Sequence, residues 1–138
     1  NGMLAARAAL GHQAEIVGVV SAHAPAYQIS FQSGQLAVAP VSTKLADGLA
    51  CSTPDAAALE AIWRQVARIV SVTDAEVAEA MRLFFSATHN VAEGAAAATL
   101  AAALQEPRAP GDCVALVLSG GNIDRGLYAR VLAGEAFD

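Results

Sequence analysis

The sequence predicts an α/β fold: three layers, with a mainly parallel sheet flanked by helices. Three observations carry this. Near-continuous apolar runs occur at Glu15–Val20, Arg68–Val72 and Cys113–Leu118. They lack the apolar/polar alternation of a half-exposed strand, so they predict strands covered on both faces. Segments of helical periodicity alternate with them, which is the order of a parallel sheet with crossover helices. At 138 residues the chain predicts a single α/β domain over 1–138.

Taken in order, Met3, Leu4, Ala8 and Leu10 mark a short helix closed by Gly11. The first strand follows at Glu15–Val20. Ala24–Ser33 reads as a helix with Pro25 in its first position, where the missing N–H costs nothing, and Gly34 as its stop. Leu36–Pro40 reads as a short strand and Val41–Thr53 as loop, with Asp47-Gly48 a turn. Asp55–Val66 is helical and Arg68–Val72 is the second strand. Thr73, with Glu76 three residues on, forms a capping box that opens a helix carrying Val77, Ala80, Met81 and Phe84 on one face to about Ala87. Ala92–Leu104 is a helix with alanine on every side, which demands close neighbours. Cys113–Leu118 is the most strand-like run, ending in Ser119-Gly120-Gly121-Asn122 before a last helix over Asp124–Leu132.

Composition excludes several function classes. With 55% hydrophobic and 15% charged residues, the chain holds enough apolar surface to fold. A net charge of −5 without any basic run argues against nucleic acid. No charged residue lies between Glu15 and Lys44, but Gly18, His23, Pro25, Gly34 and Pro40 interrupt that stretch, and Gly94–Gln105 is shorter than the about 20 residues a membrane span needs. The reading is a protein of the cytoplasm. Two distant cysteines, Cys51 and Cys113, predict free thiols in a reducing compartment. The opening Asn1-Gly2-Met3 has neither an initiator Met nor a Ser, Thr or Asp cap, so residue 1 reads as an internal position of a longer polypeptide.

In open parallel sheets, ligands sit beyond the carboxyl ends of strands. Ser119-Gly120-Gly121-Asn122 occupies such a place: its glycines allow close backbone approach and Ser119 offers a hydroxyl, although a plain strand-to-helix turn would use the same residues. Asn1-Gly2 opens a helix whose free N–H groups suit phosphate. Glu93 begins the alanine helix, where an acid also serves simply as dipole partner. His12, His23 and His89 have no ligand spacing, and no metal site is predicted. Lys44 reads as a solvated loop residue.

Several of these segments together resemble the threonine dehydratase and serine racemase group, the fold type II enzymes dependent on pyridoxal phosphate. Ser119-Gly120-Gly121-Asn122 resembles the group's last cofactor motif. Gly18–Tyr27 is similar to the strand and helix after its phosphate loop, and Thr43–Gly48 to its Thr-x-Ala-Asp-Gly stretch. Val70–Glu76 resembles its capped helix start, and Val91–Ala96 its Glu-x-Ala-Gly-Ala segment. The resemblance is colinear over nearly the whole chain. It implies the C-terminal part of a large cofactor domain, truncated at the phosphate loop. It also implies that Ser119 hydrogen-bonds the cofactor's ring nitrogen, that Gly120 and Gly121 pass the ring, that Asn1, Gly2 and Met3 end the phosphate loop, and that Glu93 lies beside the cofactor.

The implied reaction is deamination of a small hydroxy amino acid to a 2-oxo acid and ammonia, in a homo-oligomer. The group's Schiff-base lysine, in a Ser-x-Lys motif, belongs upstream, so no catalytic residue is assigned here, and 1–138 is expected to bind the cofactor weakly at best. Ser42-Thr43-Lys44 mimics that motif at the wrong place. Some members bind a divalent cation through acids after the first strand, where Ser21–Ala26 has none. The alternative is a non-catalytic α/β module for assembly or for binding a phosphate ligand. A dinucleotide binder is disfavoured, because no Gly-x-Gly-x-x-Gly follows a strand.

Overall fold

The computed structural model describes residues 1–107 and 109–137. Its elements are α1 (Gly2–Ala9), β1 (Val17–Ser21), α2 (Ala26–Ser33), a 3₁₀ turn (Asp47–Leu49), α3 (Ala56–Gln65), β2 (Arg68–Val72), α4 (Asp74–Thr88), α5 (Gly94–Gln105) and α6 (Arg125–Leu132). The helical boundaries follow their local signals. Pro25 caps α2 and Gly34 ends it in the left-handed region at φ 68°. Asp55 and Asp124 accept N–H bonds at the starts of α3 and α6. The Thr73–Glu76 capping box opens α4 with both reciprocal bonds present.

β1 and β2 pair in parallel, with Val19 opposite Val70 and Ser21 opposite Val72. Side chains on a strand alternate between faces, so Val19, Val70 and Val72 share one face. That face joins the core formed by Val77, Ala80 and Met81 of α4, Ala97, Ala98 and Ala101 of α5, and Val131 of α6. Alanines here let α5 lie close against α4. Met81, Val72 and Val77 are completely buried, each contributing about 1.5–3 kcal/mol of hydrophobic stabilisation. Arg82 of α4 also donates to the Val131 carbonyl at 3.2 Å, fixing the end of α6.

The opposite face of the strands, with Gly18, Val20 and Ile69, is roofed differently. It borders a cavity of about 550 Å³ together with Leu4 of α1, Tyr27 of α2, and Ile62 of α3. Helices therefore flank a small parallel sheet.

Two expected strands are absent. Leu36–Pro40 is loop, tied across by one backbone bond from Ala39 to Ser52. Cys113–Leu118 adopts no strand among the described residues, and Val114, Leu116, Val117 and Leu118 are all exposed. The physical reason is that apolar, β-branched composition favours extended chain but supplies no ladder. A strand exists only where a neighbour satisfies its N–H and C=O groups. Here β1 and β2 satisfy each other and leave that run aside.

Candidate functional site

The turn after residue 118 lies directly on the entry to α5. The Glu93 N–H donates to the Gly120 carbonyl at 3.1 Å. A Cβ on Gly120 would sit 2.9 Å from Glu93 Oε1, and one on Gly121 would sit 2.5 Å from the Val91 carbonyl oxygen. The Glu93 carboxylate can swing away from the first, but the Val91 backbone cannot yield to the second, so Gly121 is the residue that lets this turn lie flush on residues 91–93. Ser119, one residue earlier, is exposed, and its hydroxyl makes no hydrogen bond to another described residue. It is open to a ligand.

A second wall comes from the 43–48 segment. Gly94, the first residue of α5, packs on the Leu45 carbonyl so tightly that an added Cβ would lie 2.1 Å from its oxygen. Gly48 is similarly close to Ala95, at 2.8 Å. Between these walls lies a cavity of about 330 Å³, bordered by Lys44, Asp47 and Gly48 on one side, Glu93 on another, and Asn122 and Asp124 on the third.

The predicted residues divide into two groups. Glu93, Gly120 and Gly121 meet, with Ser119 at their rim. Asn1, Gly2 and Met3 line the larger apolar cavity instead, at the start of α1. Asn1 caps α1 without a side-chain bond, and the first turn carries no acid, so no side chain of that turn competes for its N–H groups. Gly48 borders both cavities, which places the 3₁₀ turn between the two groups.

Reading the sequence missed the roles of Gly48 and Gly94 in this wall. Asp47-Gly48 looked like an ordinary turn. The sequence offers only a glycine beginning an otherwise alanine-built helix, which does not name the carbonyl it packs on. Lys44, read as a solvated loop residue, is exposed but borders the smaller cavity.

These features fit a flat, phosphorylated heterocycle. A hydroxyl, a turn free of side chains and a helix N-terminus are the groups such a ligand would use, the α1 N-terminus lining the larger cavity and Glu93 the smaller one.

Comparison with known proteins agrees with that chemistry. The family model of pyridoxal-phosphate dependent enzymes matches residues 1–120. The L-threonine ammonia-lyase of Thermotoga maritima is 30% identical over 132 residues, covering 96% of this chain and 33% of that protein. The L-threonine ammonia-lyase of Geobacter sulfurreducens is 39% identical over 111 residues, covering 79% of this chain and 27% of that protein. Among solved structures, a threonine deaminase of T.th. superposes with a TM-score of 0.76 at 29% identity, over 89% of this chain and 45% of that one. The chain spans about a third of the length of the curated relatives it matches.

Proposed function

Because this chain belongs to the family of pyridoxal-phosphate dependent enzymes, we propose that it forms part of the cofactor-binding domain of a threonine or serine dehydratase-like enzyme. The single observation that carries the reading is the turn at Ser119–Gly121, flush against Glu93 and presenting an unengaged hydroxyl. In this reading residues 1–138 are one α/β unit, the C-terminal part of the larger domain found in the relatives, with the catalytic lysine outside them.

In this reading each residue has a task. Ser119 holds the ring nitrogen by a hydrogen bond. A neutral hydroxyl orients the ring without giving it the charge that a carboxylate partner would enforce, which favours elimination over transamination. Gly120 and Gly121 keep side chains out of the ring's path. Asn1, Gly2 and Met3 bring the N–H groups of α1 to the phosphate. Glu93, anchored through its own N–H to Gly120, would lie near the ring. When bound, the cofactor supplies an electron sink for charge at the amino-acid α-carbon.

The overall reaction proposed is deamination of a hydroxy amino acid. The β-hydroxyl leaves as water, and hydrolysis of the resulting imine takes water back, giving a 2-oxo acid and ammonia without an oxidant. The relatives named as threonine ammonia-lyases support this substrate class. A homo-oligomer in the cytoplasm completes the reading, the latter because Cys51 and Cys113 are both free thiols.

The test uses the gene product that contains this chain, supplied with pyridoxal phosphate. Incubation with L-threonine and with L-serine is expected to release ammonia and 2-oxo acid in equal amounts. Cofactor binding without either product from any hydroxy amino acid would refute the reaction; failure to bind the cofactor would refute the reading altogether.

A further inference from the structure

Asp74 is a buried carboxylate that the site described above does not use. It occupies the first turn of α4 and is 1% exposed. Burying a carboxylate is costly unless donors surround it, and its donors come from one place. Thr43 Oγ1 donates to Oδ1 at 2.7 Å, and the Lys44 N–H donates to Oδ2 at 2.5 Å. Thr43 Oγ1 in turn accepts the Ala46 N–H at 3.0 Å, closing a small turn. Both carboxylate oxygens are thus spent on a segment 30 residues away in sequence.

That segment is the wall already described. Two residues past Thr43, the Leu45 carbonyl seats Gly94, and Gly48 seats Ala95. Leu45 and Ala46, in the middle of the segment, are buried. The contacts run from Asp74 through Thr43 and Leu45 to Gly94, and from Glu93 to Gly120.

We propose that Asp74 is a positioning residue: through Thr43 and the Lys44 N–H it clamps the 43–48 segment across the first turns of α4 and α5. In doing so it sets the place of Glu93 and the Ser119–Gly121 turn. This rests on the cofactor-site reading above, but the clamp itself has a readout independent of it.

The experiment compares wild type, Thr43→Val, Thr43→Ser and Asp74→Asn in the gene product that contains this chain. Thr43→Val is nearly isosteric and keeps the fold testable if Asp74→Asn does not accumulate as folded protein. Amide hydrogen exchange is measured first, without cofactor. In Thr43→Val, exchange is expected to quicken at residues 44–48, 93–95 and 120–122, while β2 and the later turns of α4 stay at wild-type rates. Thr43→Ser should restore wild-type exchange, because it keeps the hydroxyl. Pyridoxal phosphate affinity is measured next, and Thr43→Val and Asp74→Asn are expected to weaken it by about tenfold, the loss of one charge-assisted hydrogen bond. The double variant should be no weaker than the worse single one.

Three results would overturn the proposal. One is faster exchange confined to residues 43–46 and the start of α4. Another is an equal defect in Thr43→Ser and Thr43→Val. The third is a lowered melting temperature with unchanged cofactor affinity and spectrum. If wild type binds no cofactor, the functional reading fails while the exchange pattern still decides the clamp.

Discussion

Gly94 shows how one residue's sign can reverse with context. At an exposed helical position, Gly→Ala stabilises by roughly 1 kcal/mol. At Gly94 the new methyl would meet the Leu45 carbonyl oxygen at 2.1 Å. Gly94→Ala is therefore expected to destabilise by about 1–3 kcal/mol, as overpacking does, read by denaturant unfolding. His89 is the converse. It ends α4 in the left-handed region at φ 56°, where a side chain is strained and glycine is not. His89→Gly should raise stability by about 0.5–1 kcal/mol in the same measurement. Neither effect was legible in the sequence: the first depends on a carbonyl 49 positions away, the second on a backbone angle that no neighbouring residue announces.

Elements differ in how far their own residues determine them. α4 is determined locally: Thr73 and Glu76 cap it, and both bonds form. Burial acts to raise the pKa of Glu76, but the Thr73 N–H and hydroxyl, with the Gln105 amide, outweigh it and hold the group below the usual carboxylate value of 4.5. A depressed native value means that the stabilisation is fully present above the unfolded value and is lost as pH falls through the native one. Glu76→Gln keeps an acceptor for the cap but cannot titrate. Its stability is expected to lie below wild type near neutrality and to converge with it on acidification, followed by urea unfolding across pH. A gap that stays constant down to about pH 3 contradicts the assignment. α2, α3 and β2 were equally plain, because Pro25, Gly34, Asp55 and the apolar run of β2 are signals within a few residues. Cys113–Leu118 was not. Its composition is as strand-like as that of β2, and what separates the two is a partner, which periodicity does not encode.

At the scale of the molecule, the sheet has two strands among the described residues, and the apolar run 113–118, outside that sheet, lies exposed beside α5, with the Val117 carbonyl 3.4 Å from the Thr99 hydroxyl. Exposed apolar chain with unpaired backbone invites association. A polypeptide of residues 1–138 alone is expected to self-associate at micromolar concentration, and Leu116→Lys to reduce this, as read by light scattering. No helix among the described residues is long and apolar enough to cross a membrane. The order of the segments already grouped Glu93 with Gly120 and Gly121, and the structure packs that turn against residues 91–93. The site's second wall was hidden, because Thr43 and Asp74 lie 31 positions apart and carry no shared local pattern.

The central claim is that the Ser119 hydroxyl holds the cofactor's ring nitrogen. The most direct measurement is a spectral titration with pyridoxal phosphate of the gene product that contains this chain, comparing wild type with Ser119→Ala. The variant is expected to bind about five- to tenfold more weakly, the worth of one hydrogen bond, with a shifted visible band. Identical affinity and an identical spectrum in the two proteins would contradict it.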